Sequence, residues 1–484
     1  MFLRLERLRA VALVCLACVA LCFLYFCNLG RTGLLGPDEP RYAAVGREMA
    51  RSGDWLTPEL WGQPWLEKPP LLYWLIGAGF RAGLSTELAP RVPVALCATA
   101  FLAFFCWILR KEFGGRAAFF ATAVLATSAG WLALGHVAVT DIPLAVTFSA
   151  AMLLSLPWLA RGERRWLGSA AVLLGLAVLA KGLVPLVLAL PLAFLGWRRW
   201  RDWLRPFPIV AFLLLAVPWY AAMTVIFGWS FLEEFVWQHH FERFASGALA
   251  HTQPFWFYVP VILAGLVPWT PAVFLLFKRG LYNDPRLRFL LVWIAWGLVF
   301  FSASANKLPG YVLPLLPALA ALVGIALAGE RRARGILVAC ALLLAAIPVI
   351  AAMLPAALHW GITHTSPSVE WAAILPVVLL AAGVWRAEMA QRRAIAVGLI
   401  ALGMTAGAVW LGSTVLPVLD RTVSARVLWR GISSSREDVC LGDLNRSFHY
   451  NLDYYSDVPL PSCLEWPGPL RIETNPKGVT EVYR

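Results

Sequence analysis

Residues 90–116 read PRVPVALCATAFLAFFCWILRKEFGGR, an apolar run that ends in a basic cluster. Between Val92 and Leu109 the run carries no charged side chain, and about 20 such residues in a helix cross the hydrocarbon core of a bilayer. Similar runs recur along most of the chain, each continuous rather than alternating, which excludes a transmembrane β-barrel. The sequence therefore predicts an all-α polytopic membrane protein.

The composition supports this class and excludes a water-soluble enzyme. Of 484 residues, 60% are hydrophobic and 14% are charged, whereas a soluble protein carries about 25% charged residues. The net charge of +13 comes from basic residues spread over short loops. Membrane topology explains that distribution better than a nucleic-acid partner, which needs the charge gathered on one surface.

About thirteen membrane spans are predicted from the apolar runs, the first of them an uncleaved N-terminal span. They lie at about 10–29, 90–109, 117–135, 142–160, 167–180, 182–196, 208–227, 257–277, 289–303, 311–328, 336–356, 370–385 and 394–416.

The basic residues set the orientation of these spans. With the N-terminus inside, seven cytoplasmic clusters hold more than half of the 41 Lys and Arg residues. The opposite short loops hold only Lys181, Arg243 and Lys307, which is the asymmetry that the positive-inside rule describes. An odd number of spans then places the C-terminus outside.

Two longer segments follow on the outer side. One is the loop 30–89 within the transmembrane part, residues 1–416; the other is the tail, residues 417–484, which is predicted to fold as a small α/β domain. Cys440 and Cys463 lie in this tail, and on the oxidising side they form either a disulfide or two free thiols.

The outer loop begins with a predicted helix. Asp38 can cap it, and Tyr42, Val45 and Met49 fall on one face. A second apolar stretch, 69–80, is too short to span. We expect two interfacial helices here.

Ionisable residues concentrate on this outer face. They are Asp38, Glu39, Arg41, Glu67, Lys68, Asp141, His251 and Lys307. Each has a simpler interpretation: a capped helix start for the first three, an N-cap for Asp141, a structural histidine for His251. At bilayer depth, however, ionisable groups are costly unless they pair or line a cavity, which favours a shared polar site.

Nucleotide-binding motifs are absent from the sequence, as are HExxH and CxxC metal patterns. An outward-facing site has no access to cytosolic nucleotide sugars, so a group-transfer enzyme there needs a substrate activated in advance and carried in the membrane. A polyprenyl phosphate sugar meets this requirement. Its leaving phosphate needs cations, which Lys68, Arg41 and Arg243 can supply.

At these residues the chain resembles the lipid A aminoarabinose transferases, within the protein O-mannosyltransferase-like GT-C glycosyltransferases. The matching pieces run in family order from residue 37 to about 317 and include Asp38-Glu39-Pro40-Arg41-Tyr42, Arg47-Glu48-Met49, Glu67-Lys68-Pro69, Lys181-Gly182, His251, and Lys307-Leu308-Pro309-Gly310-Tyr311. In the C-terminal third no motif matches.

The resemblance implies a GT-C fold and a role for each site residue. Asp38 is the expected base or orienting carboxylate, with Glu39 grouped beside it and Asp141 as a second acid. Contacts to the lipid phosphate are expected from Arg41, Lys68 and Tyr311, joined by Arg243 and Lys307. Glu67 and His251 are the implied ligands of a divalent metal, with zinc a candidate.

The implied reaction moves a sugar, 4-amino-4-deoxy-L-arabinose, from undecaprenyl phosphate to a lipid A phosphate on the periplasmic side of a bacterial inner membrane. Two alternatives stay open. One is a protein or glycan O-glycosyltransferase that uses the same donor class. The other is a transporter or flippase for a lipid-linked substrate, although the related halves common in transporters are not evident.

Overall fold

The protein is predominantly helical. A computed structural model describes residues 18–242, 253–278, 280–330, 332–360, 374–474 and 480–483. Its α-helices are Asp38–Ser52, Leu71–Arg81, Leu88–Phe113, Gly115–Ala126, Ala129–Gly135, Asp141–Leu154, Leu156–Arg161, Leu167–Lys181, Val184–Leu188, Leu190–Leu195, Pro206–Phe227, Trp229–Leu232, Tyr258–Gly265, Pro285–Ala303, Leu316–Gly329, Arg334–Leu342, Ala346–Trp360, Leu375–Met389, Arg393–Thr414, Leu416–Thr422, Arg426–Ile432 and Arg446–Ser456.

Shorter elements connect these helices. The 3₁₀ segments are Trp197–Asp202, Phe255–Phe257, Thr270–Phe277, Leu281–Asn283, Pro309–Leu315, Leu343–Ala345 and Ser433–Asp438, and a π-helix covers Glu233–Glu242. The strands are Glu59–Leu60, Gln63–Pro64, Val439–Leu441, Leu470–Thr474 and Thr480–Tyr483.

Among the described residues, 7 helices are long and apolar enough to cross a membrane. Each coincides with a predicted span: Leu88–Phe113, Asp141–Arg161, Pro206–Phe227, Pro285–Ala303, Pro309–Gly329, Arg334–Ala357 and Arg393–Thr422. The predicted class is confirmed: this is an integral membrane protein. The count of thirteen stays a prediction, since the structure gives up to 9 spans when bent helix pairs are joined.

Two predicted spans are bent rather than straight. Span 117–135 divides into two helices at 59°, and the hydroxyls of Thr127 and Ser128 at the break donate to backbone carbonyls one turn earlier. Span 257–277 divides at 111° next to Pro268, which has no N–H to continue a helix. Predicted spans 167–180 and 182–196 are shorter apolar helices, and spans 10–29 and 370–385 lie only partly within the described ranges.

Both helices predicted in the outer loop are present; we call Asp38–Ser52 the first loop helix and Leu71–Arg81 the second. Tyr42, Val45 and Met49 are all buried, which confirms the predicted apolar face. The two helices approach closely at Gly46, where an added Cβ would lie 2.5 Å from the Ile76 side chain.

The predicted capping role of Asp38 is wrong. The first loop helix begins at Asp38 itself, Pro37 occupies the N-cap position, and no side chain caps the helix. The Asp38 carboxylate therefore does not cap the helix, and it pairs with Arg41 instead.

Beyond the last apolar helix, the described part of the tail, residues 424–474 and 480–483, carries a three-stranded sheet and two helices. Val439–Leu441 pairs parallel to Leu470–Thr474, which pairs antiparallel with Thr480–Tyr483. A small core that includes Trp429, Phe448 and Ile472 fills the space between sheet and helices. The structure pairs Cys440 with Cys463, their Cα atoms 4.9 Å apart.

The last apolar helix runs past the predicted boundary at 416/417, to Thr422. Beyond it the tail folds back onto the outer loop. Arg426 pairs with Asp420 and Glu87 at 2.6 and 3.3 Å, and the backbone N–H of Leu34 donates to the Tyr455 hydroxyl at 3.1 Å. The tail therefore holds the loop from which the first loop helix starts.

Candidate active site

Asp38 and Arg41 form an ion pair in the first turn of the first loop helix. The three-residue spacing places both side chains on the same face of the helix. The Asp38 side chain is 41% exposed while that of Arg41 is 5% exposed. Asp38 thus offers an accessible carboxylate, held in place by a buried cation.

The Arg41 guanidinium is fixed from several directions. Its Nε donates to the Pro37 carbonyl at 2.9 Å, and it lies over the Trp65 and Tyr450 rings at 5.2 and 4.9 Å from their centroids. Although burial opposes the charged form, the Asp38 and Glu67 carboxylates outweigh it and raise the pKa of Arg41. Arg41 is therefore a preorganised, permanently charged group.

Glu67 and Lys68 add a second pair beside Arg41. The Lys68 ammonium lies 2.9 Å from Glu67 Oε1, and Glu67 Oε2 lies 3.6 Å from Arg41 Nη1. Both side chains are largely buried just before the second loop helix. Glu67 thus joins two cations on the same side of the protein.

Asp141 and Lys181 form a third pair. The Lys181 ammonium donates to Asp141 Oδ1 at 2.8 Å and lies 4.7 Å from the centroid of the Tyr311 ring. Gly310 lets the Asp141 carboxylate sit against the backbone, since a Cβ there would lie 3.1 Å from its Cγ. Asp141 begins its helix without capping it through its side chain, so the N-cap interpretation is wrong.

These pairs belong to one polar region, which we call the outer cluster. Its members are Asp38, Arg41, Glu67, Lys68, Asp141, Lys181 and Tyr311. Lys181 interacts electrostatically with Asp38, which connects the third pair to the first. The expectation that ionisable residues of distant segments meet on one face is met for these residues.

Glu39 occupies a different environment from its neighbour. Arg91 donates to both Glu39 carboxylate oxygens at 2.8 Å, and the backbone N–H groups of Leu35 and Ala138 donate to the same oxygens. Both charged side chains are almost fully buried. The structure thus places Glu39, which was predicted with Asp38 and Asp141, in a buried ion pair with Arg91.

Three other predicted residues are not seen in the outer cluster. The Lys307 ammonium is buried and donates to the Ser304 carbonyl at 2.6 Å. Arg243 and His251 lie outside the described residues.

Of the two predicted metal ligands, Glu67 is the one that lies among the described residues. Its carboxylate already neutralises Lys68 and Arg41, and no group of three or more His, Cys, Asp or Glu side chains that could hold a metal occurs within the described part of the chain. Since His251 lies outside the described residues, the two-ligand metal site stays a prediction.

Two residues of this region have no role in the sequence-based prediction. Lys181 is part of the Lys181-Gly182 piece that matched the family, which was the available signal. Tyr450 lies on the tail helix Arg446–Ser456 and reaches Arg41 from the other end of the chain. No local pattern could connect residues so far apart.

Basic side chains that are paired with carboxylates can change partners when another anion binds beside them. Arg41, Lys68 and Lys181 each have a carboxylate partner, and phosphate oxygens accept the same charge-assisted hydrogen bonds. The outer cluster can therefore bind a phosphate and keep carboxylates beside it.

The chain is similar in sequence and in fold to known proteins. Residues 67–228 match a family profile described as dolichyl-phosphate-mannose-protein mannosyltransferase. An undecaprenyl phosphate-alpha-4-amino-4-deoxy-L-arabinose arabinosyl transferase of Pseudomonas fluorescens strain Pf-5 is 32% identical over 326 residues, which is 64% of this chain and 55% of that protein. The transferase of the same description from Serratia proteamaculans is 33% identical over 315 residues, 62% of this chain and 56% of that protein.

Among solved structures, ArnT from Cupriavidus metallidurans bound to undecaprenyl phosphate matches with a TM-score of 0.76 and 27% identity, covering 93% of this chain and 85% of that one. In sequence, the chain spans about 55% of the length of the curated relatives.

The fold is that of a polytopic membrane protein with the architecture of the ArnT structure. More particularly, the resemblance to the aminoarabinose transferases is confirmed in both sequence and structure.

Proposed function

We propose that this protein transfers 4-amino-4-deoxy-L-arabinose from undecaprenyl phosphate to a lipid A phosphate. The observation that carries the proposal is the outer cluster itself, cations and carboxylates at one site, on a fold shared with an ArnT structure bound to undecaprenyl phosphate. The arabinosyl transferase description of the relatives supplies the sugar.

The proposed location is the periplasmic face of a bacterial inner membrane. Thirteen spans with the N-terminus inside would place the basic clusters in the cytoplasm, and the tail domain and outer cluster outside. The tail supports this arrangement because it contacts the loop that precedes the first loop helix.

In the proposed reaction an acceptor phosphate oxygen attacks the anomeric carbon of the sugar. The bond from that carbon to the undecaprenyl phosphate oxygen breaks, its electron pair stays on the phosphate, and the configuration at carbon inverts. Arg41 and Lys68 stabilise the charge that grows on the leaving phosphate, and Lys181 and Tyr311 contribute from the other side of the cluster.

The carboxylates then have orienting roles. A lipid A phosphate is anionic at neutral pH, so no strong base is required. Asp38, the more exposed carboxylate, orients the acceptor or the amino group of the sugar. Asp141 keeps Lys181 in place.

A divalent cation at Glu67 and His251, with zinc as a candidate, remains part of the proposal through the resemblance alone. No step is assigned to it. Elemental analysis of the wild type, Glu67→Ala and His251→Ala tests it: loss of bound metal in both variants supports the pair as ligands, and equal metal in all three proteins places the ion elsewhere.

A second candidate is transfer to a protein hydroxyl. The match of residues 67–228 to the protein mannosyltransferase profile favours it. In that case the acceptor carries a proton, and Asp38 acts as general base.

Mass spectrometry of lipid A and of total glycoprotein, from cells with and without the gene, separates the two. We expect an aminopentose on lipid A phosphates only when the gene is present, with glycoprotein unchanged. A gene-dependent hexose or pentose on protein, and none on lipid A, would replace the first proposal by the second.

A further inference from the structure

A cavity of about 430 Å³ lies apart from the outer cluster, at the C-terminal ends of both loop helices. Three arginines line it: Arg47, Arg51 and Arg81. Arg47 is six residues beyond Arg41, about 9 Å along the helix axis at 1.5 Å per residue. The cavity is therefore a separate place on the protein.

The cavity has more positive than negative charge. Arg47 and Arg51 share a single carboxylate, Asp457 of the tail, at 2.8 and 2.6 Å. Arg81 makes no ion pair with any residue in the described ranges. Three of the lining residues are arginines and none of the described lining residues is acidic, and Asp457 pairs with two of the three arginines.

Arg47 differs from the other two arginines because it is buried. Its side chain is 9% exposed, it lies over the Tyr454 ring at 4.3 Å, and burial lowers its pKa. Asp457 and the Tyr454 carbonyl, to which Arg47 Nη2 donates at 3.0 Å, offset the cost of that burial. A phosphate would therefore pair with Arg51 and Arg81, whose side chains are exposed.

The other residues that line the cavity indicate which kind of anion fits there. Phe80 and Leu84 form an apolar side next to the arginines, and the Ser85 side chain adds a hydroxyl. Guanidinium groups match the oxygen geometry of phosphate in a bidentate manner. A ligand that carries a phosphate on an apolar or glycolipid body fits both parts.

We propose that this arginine cavity binds the phosphate of a lipid headgroup in the outer leaflet. The lipid phosphate pairs with Arg81 and Arg51, and its carbon chain lies along Phe80 and Leu84. This binding does not depend on sugar transfer, because no residue of the outer cluster takes part.

The test is lipid binding by the purified full-length protein in phosphatidylcholine nanodiscs, with phosphatidic acid as the probe and native mass spectrometry as the readout. Arg81→Gln removes the arginine without an ion-pair partner in the described structure. Asp457→Asn removes the competing carboxylate at a left-handed position, φ 72°, which Asn tolerates. Arg430→Gln, an exposed tail arginine, is the matched control.

We expect Arg81→Gln to weaken phosphatidic acid binding by roughly tenfold and Asp457→Asn to strengthen it several-fold, with Arg430→Gln equal to wild type. Equal binding by all four proteins, or an equal loss in Arg430→Gln and Arg81→Gln, would overturn the site. Displacement of the lipid by inorganic phosphate at equal concentration would overturn the lipid headgroup as ligand and assign free phosphate instead. Because no sugar donor is present, none of these results depends on the transferase proposal.

Discussion

At the scale of single residues, Asp38 and Glu39 are adjacent carboxylates in opposite environments. Asp38 is accessible and pairs with Arg41, while Glu39 is fully buried and bound by Arg91 and two backbone N–H groups. In a helix, consecutive side chains point about 100° apart, which directs one into the outer cluster and the other into the core. Their substitutions should therefore have different consequences.

For Asp38→Asn we expect turnover to fall by about 100-fold, because the acceptor loses the carboxylate that orients it, with the melting temperature in detergent close to wild type. Asn keeps the size of the side chain and removes the charge. Glu48→Gln, on the same helix, is the control for loss of one negative charge. Wild-type turnover in purified Asp38→Asn would remove this carboxylate from the reaction.

For Lys68→Ala we expect weaker use of the lipid-linked sugar donor. Loss of a charge-assisted contact to phosphate costs about 1.5 to 3 kcal/mol, or roughly 10- to 150-fold in affinity. The measurement is the dissociation constant for undecaprenyl phosphate, with Lys278→Ala, a lysine paired to Glu330, as control. An unchanged affinity would show that Lys68 serves only Glu67.

At the scale of elements, the Glu39–Arg91 pair connects four segments. Arg91, on helix Leu88–Phe113, donates to Glu39 and to the carbonyls of Leu29, Thr32 and Gly33. Glu39 in turn accepts from Ala138. A buried network of this kind fixes the start of the first loop helix relative to the neighbouring spans.

Glu39→Gln should therefore destabilise the fold. Breaking a buried pair leaves an uncompensated charge and costs about 3 to 5 kcal/mol. We expect a lower melting temperature and less folded protein, with the exposed Glu437→Gln unchanged. Activity lost at a wild-type melting temperature would instead return Glu39 to the catalytic group.

The tail helix Arg446–Ser456 carries a pH-sensitive carboxylate. Asp453 is buried, accepts from the Leu460 N–H at 3.0 Å and lies 3.5 Å from His449. Burial raises the pKa of Asp453 to about 6, against about 3.9 in an unfolded chain. Between about pH 4 and 6 the Asp453 carboxyl is therefore protonated in the folded tail and ionised in the unfolded tail. Its contribution to the free energy of unfolding is fully present below about pH 4.

As the pH rises from about 4 through 6, the tail should lose about 2 to 3 kcal/mol of stability. Asp453→Asn removes this group, so we expect a flatter dependence of melting temperature on pH in that range. The exposed Asp438→Asn is the control and should keep the wild-type slope. The same slope in both variants would locate the pH dependence at another group.

At the scale of the whole molecule, the tail completes the outer cluster. Tyr450 lies over Arg41 and stacks on Trp61 at 6.0 Å, while Tyr454 donates to the Thr86 carbonyl at 2.8 Å. The two ends of the chain thus meet at the cation that is proposed to bind the donor phosphate.

Tyr450→Ala should raise the KM for the sugar donor about twofold to 30-fold, since cation–π contacts contribute about 0.5 to 2 kcal/mol. Tyr450→Phe keeps the ring and should restore the KM. Tyr483→Ala, an exposed tail aromatic, is the control. Equal KM values in the Ala and Phe variants, or a fall in kcat alone, would contradict a role in positioning Arg41.

The sequence by itself determined the class, the seven long spans and the loop helices. Each depends on local composition or periodicity: an apolar run such as 92–109, or the buried face of Tyr42, Val45 and Met49. The expectation of a shared polar site also came from the sequence, because Asp38, Arg41, Glu67 and Lys68 fall in one outer loop.

Only the tertiary structure decided which charges meet. It bent spans 117–135 and 257–277, joined Asp141 to Lys181, buried Glu39 against Arg91 and brought Tyr450 to Arg41. Contacts between distant segments depend on how helices pack and on which buried charge can find a partner, and neither is encoded in the spacing of residues along one segment. Whether a buried charge finds a partner depends on the whole fold. The set of residues that form the site is therefore known only from the folded chain.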